Sequence, residues 1–352
     1  HGLERGDLRR VFSLSQGGRQ VKDKIITLGH GSGGRQSDEL VSFLLGPFRS
    51  RGAGPELEDA ALLPGGYAMT VDGFTVSPRK FPGGDIGHLC VCGCANDLAV
   101  RGASPDFLGI SLIIEEGTDM DEVAFYMESA AATCGELGMT LAAGDTKVVP
   151  AGTLEGMVFT GAGFGRLGTE KPLSMSEIRE GDSVIVTTSV GRHGAAIASA
   201  RFNIPVEGLE SDCAPLWPAL KPLLPLKGLR SMRDCTRGGL GTVLCEWAEA
   251  TGLHISVDEA SIPVTLQVHS LCDVLGFDPL YMACEGCAAV AVAPSECGEA
   301  LELLKASPLC RDAAVIGRVT GGEPKGMVSM KTLIGGERLV DKPWGEILPR
   351  IC

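Results

Sequence analysis

The sequence predicts a mixed α/β protein built from two domains of similar size. Its 352 residues suffice for about two domains of ordinary size. Segments with strand-like and helix-like spacing of apolar residues alternate in both halves, which is typical of sheets backed by helices. A polar segment, 167–182, separates the halves and contains Pro172. We therefore predict an N-terminal domain over 26–166 and a C-terminal domain over 167–342.

The first half begins with a glycine-rich loop, 28–35, followed by a segment with amphipathic helical spacing. Apolar runs bounded by glycine and proline predict the strands, and longer apolar runs predict the helices. The predicted strands are 59–63, 67–72, 107–114, 139–143 and 155–165, and the predicted helices are 37–45, 86–100 and about 118–137.

The second half repeats this alternation. A helix is predicted to open near Asp234, with Asp234 or Thr236 as its candidate N-cap. Arg233 and Arg237 at that start oppose the helix dipole, which favours a carboxylate or anion as their partner. The predicted strands are 183–189, 255–258 and 286–292, and the predicted helices are 191–200, 234–251 and 295–306.

Two flanking segments lack periodicity. Residues 1–25 are predicted to be a flexible lead-in, and residues 343–352, with Pro343, Trp344 and Pro349, a mobile tail.

Composition narrows the function. The net charge of −13 argues against nucleic acid as a partner, because binding phosphate backbones needs a basic surface. No apolar run reaches the roughly 18 residues that a membrane span requires, and no signal peptide is visible. The 13 cysteines are odd in number in a chain that is not small. We therefore expect a cytoplasmic protein with reduced thiols and no membrane partner.

Four aspartates of the first half end an apolar strand or lie among small residues: Asp59, Asp72, Asp97 and Asp145. Aspartates in such places often only stabilise turns. Four of them indicate instead a Mg²⁺ site that serves a nucleotide, because Mg²⁺ prefers oxygen ligands and bridges to phosphates.

The loop after His30 consists of Gly31, Ser32, Gly33 and Gly34. Its free N–H groups before a helix could cradle phosphate. It is neither a Walker A loop nor a Rossmann fingerprint, and a mobile hinge is the alternative.

Three further segments add candidate nucleotide contacts. Gly144, Asp145, Thr146 and Lys147 place a cation beside a carboxylate, suited to a transferring phosphoryl group, although an ordinary surface lysine is the alternative. Asn96 beside Asp97, and Asp234 with Arg237, complete the candidate nucleotide-binding residues.

The tail ends in Cys352. A thiolate on a mobile arm can accept a group and carry it between sites, and a chance exposed cysteine is the alternative. Cys90, Cys92 and Cys94, like Cys284 and Cys287, are interpreted as buried small apolar residues because their spacing does not supply four zinc ligands. His30 and His88 are interpreted mainly as polar loop residues.

These motifs resemble the HypE carbamoyl dehydratases of hydrogenase maturation. The resemblance spans about 26–352 and rests on HGSGG, FPGGDIG, VCGCANDLA, GDTKVV, RDCTRGGL and the terminal PRIC. It implies a two-domain fold like that of aminoimidazole ribonucleotide synthetase, which pairs as a homodimer with ATP near the interface. It further implies that the carbamoyltransferase HypF loads a carboxamide on Cys352, that ATP with Mg²⁺ drives its dehydration to a thiocyanate, and that the cyano group passes to iron on a HypC–HypD scaffold.

The resemblance also implies residue roles. Glu285 matches a family glutamate and is the candidate base, Lys147 the candidate phosphate contact, and Arg350 a guide for the tail. Where the family often continues Glu-Gly-Lys, this chain has Cys287, so no role of that lysine carries over. The alternatives are a selenophosphate synthetase, which the absence of cysteine from 29–35 disfavours, a small-molecule kinase, and a non-enzymatic carrier.

Overall fold

Two sheets organise the chain, as a computed structural model shows; it describes residues 25–52, 54, 57–169 and 171–345. The predicted Arg350 and Cys352 lie outside these residues. The elements of the first half are α1 (Arg35–Arg49), β1 (Ala61–Leu63), β2 (Tyr67–Phe74), β3 (Lys80–Phe81), β4 (Gly84–Asp85), α2 (Ile86–Val100), β5 (Phe107–Glu115), α3 (Met120–Leu137), β6 (Thr140–Val149) and β7 (Met157–Arg166).

The first half forms a five-stranded sheet in the order β1-β2-β7-β5-β6. Only the β5–β6 pair is parallel. Parallel neighbours need a crossover connection, and α3 supplies it between these two strands. β3 and β4 form a separate two-stranded ribbon before α2. Helix α2 packs on one face of the main sheet. The other face leaves apolar side chains exposed, including Val71 at 61% and Phe107 at 44%.

The second half carries the larger sheet. Its elements are β8 (Ser183–Val186), α4 (Arg192–Phe202), α5 (Trp217–Leu220), β9 (Leu229–Asp234), α6 (Gly239–Thr251), β10 (His254–Asp258), α7 (Leu266–Leu275), β11 (Ala288–Val292), α8 (Cys297–Lys305), β12 (Ala314–Thr320), β13 (Val328–Lys331) and β14 (Glu337–Val340). The seven strands follow the order β14-β13-β10-β12-β8-β11-β9, in which only β10 and β13 are parallel neighbours. The predicted α/β class with mixed sheets is confirmed.

Helix α2 is the centre of the first half, with the bounds that the sequence predicts, and it is almost entirely buried. It packs on β7 through glycines that leave no room for a side chain. A Cβ at Gly163 would lie 3.1 Å from the Cys94 carbonyl oxygen, and one at Gly161 would collide with the Cys94 sulfur. Close packing of this kind holds the residues of α2 in fixed positions.

Some elements differ from the prediction. β6 runs to Val149, so the Gly144–Lys147 motif lies within an exposed edge strand and not after it. The pattern also missed β9, α7 and the last three strands, β12 to β14. Strands β13 and β14 have only four residues each, too few for a clear periodicity, and β9 and β12 pair only with strands that are distant in sequence.

No helix in the described part of the chain is both long and apolar enough to cross a membrane.

A buried ion pair lies where β1 approaches the end of α2. The Arg101 guanidinium is 3.0 Å from the Glu58 carboxylate, and the two side chains are 2% and 6% exposed. Glu58 also accepts hydrogen bonds from the Ser174 hydroxyl and the Met175 N–H, at 2.8 and 3.1 Å. The first sheet is thereby tied to the start of the second half.

Replacing Arg101 by alanine leaves the Glu58 charge buried without a counter-charge. We expect Arg101→Ala to lower the free energy of unfolding by about 3–5 kcal/mol, measured by urea denaturation at neutral pH. The control Lys171→Ala breaks an exposed pair with Glu177 and should cost at most about 1 kcal/mol. Equal losses in both variants would contradict the importance of the buried pair.

Candidate active site

Three of the aspartates meet between the two halves. One carboxylate oxygen from each of Asp59, Asp97 and Asp234 lies within 4.8 Å of the other two. Asp59 precedes β1, Asp97 lies on α2 and Asp234 ends β9. We call this group the carboxylate trio. Its members come from both halves of the chain, so the site exists only when the halves are packed together.

The trio is electrostatically strained. Burial, followed by the neighbouring carboxylates, raises the pKa of Asp97 and of Asp234 well above the ordinary range. Burial also raises the pKa of Asp59, and the Arg233 guanidinium opposes this shift. Arg233 lies on β9 and not at the predicted helix start, and its partners are carboxylates, with Asp59 at 3.0 Å and Glu246 at 2.7 Å. Arg233, together with Arg101 near Asp59 and Arg237 near Asp234, offsets this negative charge only in part, because the pKa values stay raised.

The trio fits a divalent cation. The Oδ2 atoms of Asp59 and Asp234 are buried without a hydrogen-bond partner among the described residues. Orphaned buried oxygens are costly unless an ion or water satisfies them. Carboxylate oxygens are the ligands that Mg²⁺ prefers.

Helix α6 leaves Asp234 available for this role. Its N-cap is Gly238, with φ +81°, so neither predicted cap, Asp234 or Thr236, is used. The left-handed conformation suits glycine there.

Asp72 lies beside the trio and Asp145 does not. In the sheet register Asp72 is in the same row as Gly161, Ile110 and Gly144. Side chains alternate along a strand, so Asp145 points from the opposite face. Asp72 follows Thr70, whose hydroxyl donates to Asp97, on the inner face.

The electrostatics agree with this placement. The Asp72 charge contributes to the raised pKa of Asp97 and of Asp234. Asp145 is exposed and pairs with Lys147 at 3.0 Å. Within one chain, Asp145 therefore cannot join the trio as a metal ligand.

The glycine loop packs against the segment that follows β9. Gly33 has φ +79°, and a Cβ there would lie 2.6 Å from the Arg237 carbonyl oxygen. A Cβ on Gly34 would collide with the Pro343 carbonyl oxygen. Because Gly31 and Ser32 belong to the same loop, the four predicted loop residues are brought next to Arg237, whose charge lowers the pKa of Asp234.

Glu285 lies beside the trio, and hydrogen bonds between its backbone and the side chains of Asp212 and Asn96 hold it there. Asp212 accepts from the N–H groups of Glu285 and Gly286, at 3.2 and 3.1 Å. The Asn96 amide donates to the Glu285 carbonyl at 3.0 Å and to the Ala214 carbonyl at 3.1 Å. Burial, then the charges of Asp234, Asp72 and Asp212, raise the pKa of Glu285 well above its ordinary range.

Asn96 is fully engaged with the protein. Its side-chain oxygen accepts from the Leu216 N–H at 2.7 Å, and the residue is 1% exposed. The predicted ATP contact from Asn96 is therefore replaced by a positioning role for the loop 214–216 and for Glu285.

The cysteines of the described residues are all free, and all but Cys297 are buried. Their interpretation as reduced, buried thiols agrees with this. Cys284 and Cys287 flank Glu285.

Comparisons with known proteins agree with these motifs. The chain matches "AIR synthase related protein, N-terminal domain" over 57–167 and the C-terminal domain of the same name over 179–329. The carbamoyl dehydratase HypE of Rhodobacter capsulatus is 39% identical over 342 residues, covering 94% of this chain and 99% of the relative. That of Escherichia coli is 38% identical over 339 residues, covering 93% and 99%.

The chain belongs to the HypE family.

Solved structures of this family share the fold. HypE in complex with ATP has a TM-score of 0.80 at 37% identity, covering 93% of this chain and 100% of that chain. The HypE–HypF complex has a TM-score of 0.79 at 38% identity, covering 82% and 94%. A thiamine monophosphate kinase from Aquifex aeolicus, at 16% identity and a TM-score of 0.63, shares the fold only, covering 86% and 97%. The predicted aminoimidazole ribonucleotide synthetase-like fold is confirmed.

Sequence reasoning missed Asp212. It lies in an irregular segment, and its role depends on a contact 73 positions away in sequence. Glu246, which shares Arg233 with Asp59, was missed because nothing distinguishes it from other surface-type residues of an amphipathic helix.

The free energy of unfolding should depend on pH in a way that reflects the crowded carboxyl groups of the trio. The raised pKa values mean that the folded protein holds protons which the unfolded chain releases above about pH 4. The free energy of unfolding without metal is therefore expected to fall as pH rises from there through the raised pKa values of Asp97 and Asp234.

Thermal unfolding in a chelator should accordingly give a lower Tm at pH 8 than at pH 6, and added Mg²⁺ should remove most of the difference. Asp97→Asn should flatten the pH dependence, whereas Asp258→Asn, at a helix cap elsewhere, should keep it. A Tm that rises from pH 6 to pH 8 in the chelator would contradict the crowded trio.

Proposed function

We propose that this chain catalyses the ATP-dependent dehydration of a carboxamide on its own Cys352 sulfur to a thiocyanate, supplying cyanide ligands for the iron of [NiFe] hydrogenase. The observation that carries the proposal is the carboxylate trio beside a buried glutamate of raised pKa, next to the root of the C-terminal tail. Membership of the HypE family supports the same activity.

The root of the tail is clamped beside the glycine loop. The Pro343 carbonyl accepts from the Arg35 N–H at 3.1 Å. Lys342 pairs with Asp38 at 3.0 Å and with Glu249 at 2.9 Å. The Tyr281 hydroxyl donates to the Asp341 carbonyl at 2.9 Å. We call 340–345 the strap.

The strap sets where the tail begins. Cys352 lies seven positions after Gly345 in the sequence. An extended chain of that length spans at most about 25 Å. The strap contacts the glycine loop at Gly34. A reach of this length from there supports access of Cys352 to the carboxylate trio and Glu285 of its own chain.

The trio and Asp72 would hold Mg²⁺, and the glycine loop would receive the ATP phosphates. ATP supplies the phosphoryl group that turns the carboxamide oxygen into a leaving group, with Mg²⁺ neutralising its charge. Glu285 accepts a proton from the amide nitrogen, and its raised pKa makes its carboxylate a stronger base than a solvated one. The carbon–oxygen bond to the phosphate then breaks as the C≡N bond forms, and the second nitrogen proton leaves with the phosphate as hydrogen phosphate.

Lys147 and Asp145 act across a homodimer in this proposal. Both lie on the exposed edge strand β6, on the face opposite the trio. That face is apolar, and exposed apolar surface favours association. In a pair of facing sheets, Lys147 of one protomer contacts phosphate bound by the other.

The partners follow from the family. HypF loads the carboxamide, and a HypC–HypD complex receives the cyano group. The reaction belongs in the cytoplasm, with reduced thiols and ATP.

Intact mass tests the reaction. After incubation with HypF, carbamoyl phosphate and ATP, the wild-type chain should carry a carboxamide that then loses the mass of one water. Cys352→Ala should show no adduct and keep its Tm and ATP binding, because a chain end contributes little packing. Cys297→Ala, which removes the partly exposed cysteine, is the control and should behave as wild type.

An adduct without ATP-dependent loss of water would indicate a carrier. No adduct on Cys352 despite an active transferase would remove the tail from the mechanism and favour a small-molecule ATP enzyme.

Asp212 should act as a positioning residue for Glu285. Its carboxylate accepts two N–H groups, and burial raises its pKa to about 6. Asp212→Asn replaces one acceptor with a donor, so we expect kcat for dehydration to fall about 10- to 100-fold with little change in KM for ATP.

A merely structural role of Asp212 would lower Tm and raise KM together. The pH profile separates the two cases, because a displaced Glu285 shifts the acidic limb that a general base controls, whereas a loss of folded protein scales the whole profile.

A further inference from the structure

A second cluster of side chains lies one helical turn from Asn96, outside the steps assigned above. His88 and Cys92 are four residues apart on one face of α2, and Cys213 lies in the loop before α5. One ligand atom from each lies within 4.8 Å of the other two. The cluster therefore joins the central helix of the first half to a loop of the second half.

The spacing suits a metal ion. Zinc bonds of about 2.0–2.3 Å in tetrahedral geometry place neighbouring ligand atoms about 3.3–3.8 Å apart. The distance from His88 Nε2 to Cys92 Sγ is 3.5 Å. Cys92 and Cys213 are 0% and 6% exposed, so water does not compete strongly for their sulfur atoms.

The ring of His88 is held in place from behind. Its Nδ1 lies 2.8 Å from the Thr133 hydroxyl oxygen. That hydroxyl donates its own hydrogen to the Ser129 carbonyl at 3.0 Å, so its oxygen accepts from Nδ1–H. With Nδ1–H committed to Thr133, Nε2 is the ring nitrogen left to bind a cation, as second-shell groups arrange for metal-bound histidines.

Protons compete for the same atoms. Nε2 also lies 3.1 Å from the Cys213 carbonyl oxygen, and contact with the Cys213 thiol, with a smaller contribution from Asp85, raises the pKa of His88 to about 9. Binding of a cation must therefore displace a ring proton and two thiol protons.

We propose that His88, Cys92 and Cys213 bind a thiophilic d¹⁰ cation, Zn²⁺ or Cu⁺. Two sulfur ligands and one imidazole select such ions over Mg²⁺. Cu⁺ would be three-coordinate, and Zn²⁺ would take a fourth ligand from solution. The ion would fix the loop that includes Ala214 against α2, and this is the loop that Asn96 holds together with Glu285.

The test is a metal titration of full-length protein reduced under argon, carrying Cys352→Ala to remove the tail thiol, in excess Mg²⁺ to occupy the trio. Zn²⁺ or Cu⁺ is delivered from a chromophoric chelator. We expect one equivalent to bind. Cys213→Ser and Cys92→Ser should each weaken binding at least about 100-fold, and Thr133→Val about 10- to 100-fold at unchanged stoichiometry.

The control is Cys272→Ser, a buried thiol on α7 that should bind as the parent does. Absence of tight binding of either ion to the folded parent would overturn the proposal, as would equal loss in Cys272→Ser. Binding of one ion alone identifies it and supports the site. If the serine variants do not fold, Thr133→Val and the parent titration still decide.

Discussion

Three carboxyl groups crowded into one buried place, which cannot all ionise freely, are the constraint on which the rest of the site depends. Asp59, Asp97 and Asp234 repel one another where water cannot screen them. Arg233 offsets part of this charge, and the remainder calls for a cation. The fold holds the carboxylates together because the two packed halves, each built around a cluster of buried apolar residues, carry them. The fold thus keeps the carboxylates close despite their mutual repulsion, and binding of a cation would reduce that repulsion.

Helix α2 does most of the positioning. Its close packing on the glycines of β7 leaves it no freedom to shift, so its polar side chains are presented at fixed places. Asp97 faces the trio, Asn96 holds the backbone of Glu285, and His88 with Cys92 faces Cys213. A single helix thereby connects the carboxylate trio, the candidate base and the thiol cluster.

The strap gives the C-terminal tail a fixed origin. Ion pairs of Arg35 with Asp341 and of Lys342 with three acidic residues hold it against α1 and α6. A tether that begins at the glycine loop raises the local concentration of its end near that loop. The charge clamp and the reach of the tail together favour a reaction on the chain's own cysteine.

The sequence by itself determined the fold class, helix α2 with its bounds and the family motifs, because a long apolar run and clustered glycines are local signals. Only the tertiary structure decided which aspartates meet. Asp72 and Asp145 look alike in sequence, but the register places them on opposite faces of one sheet. Asp212 and Cys213 gain their roles from contacts with residues that are distant in sequence, and no local pattern encodes such contacts.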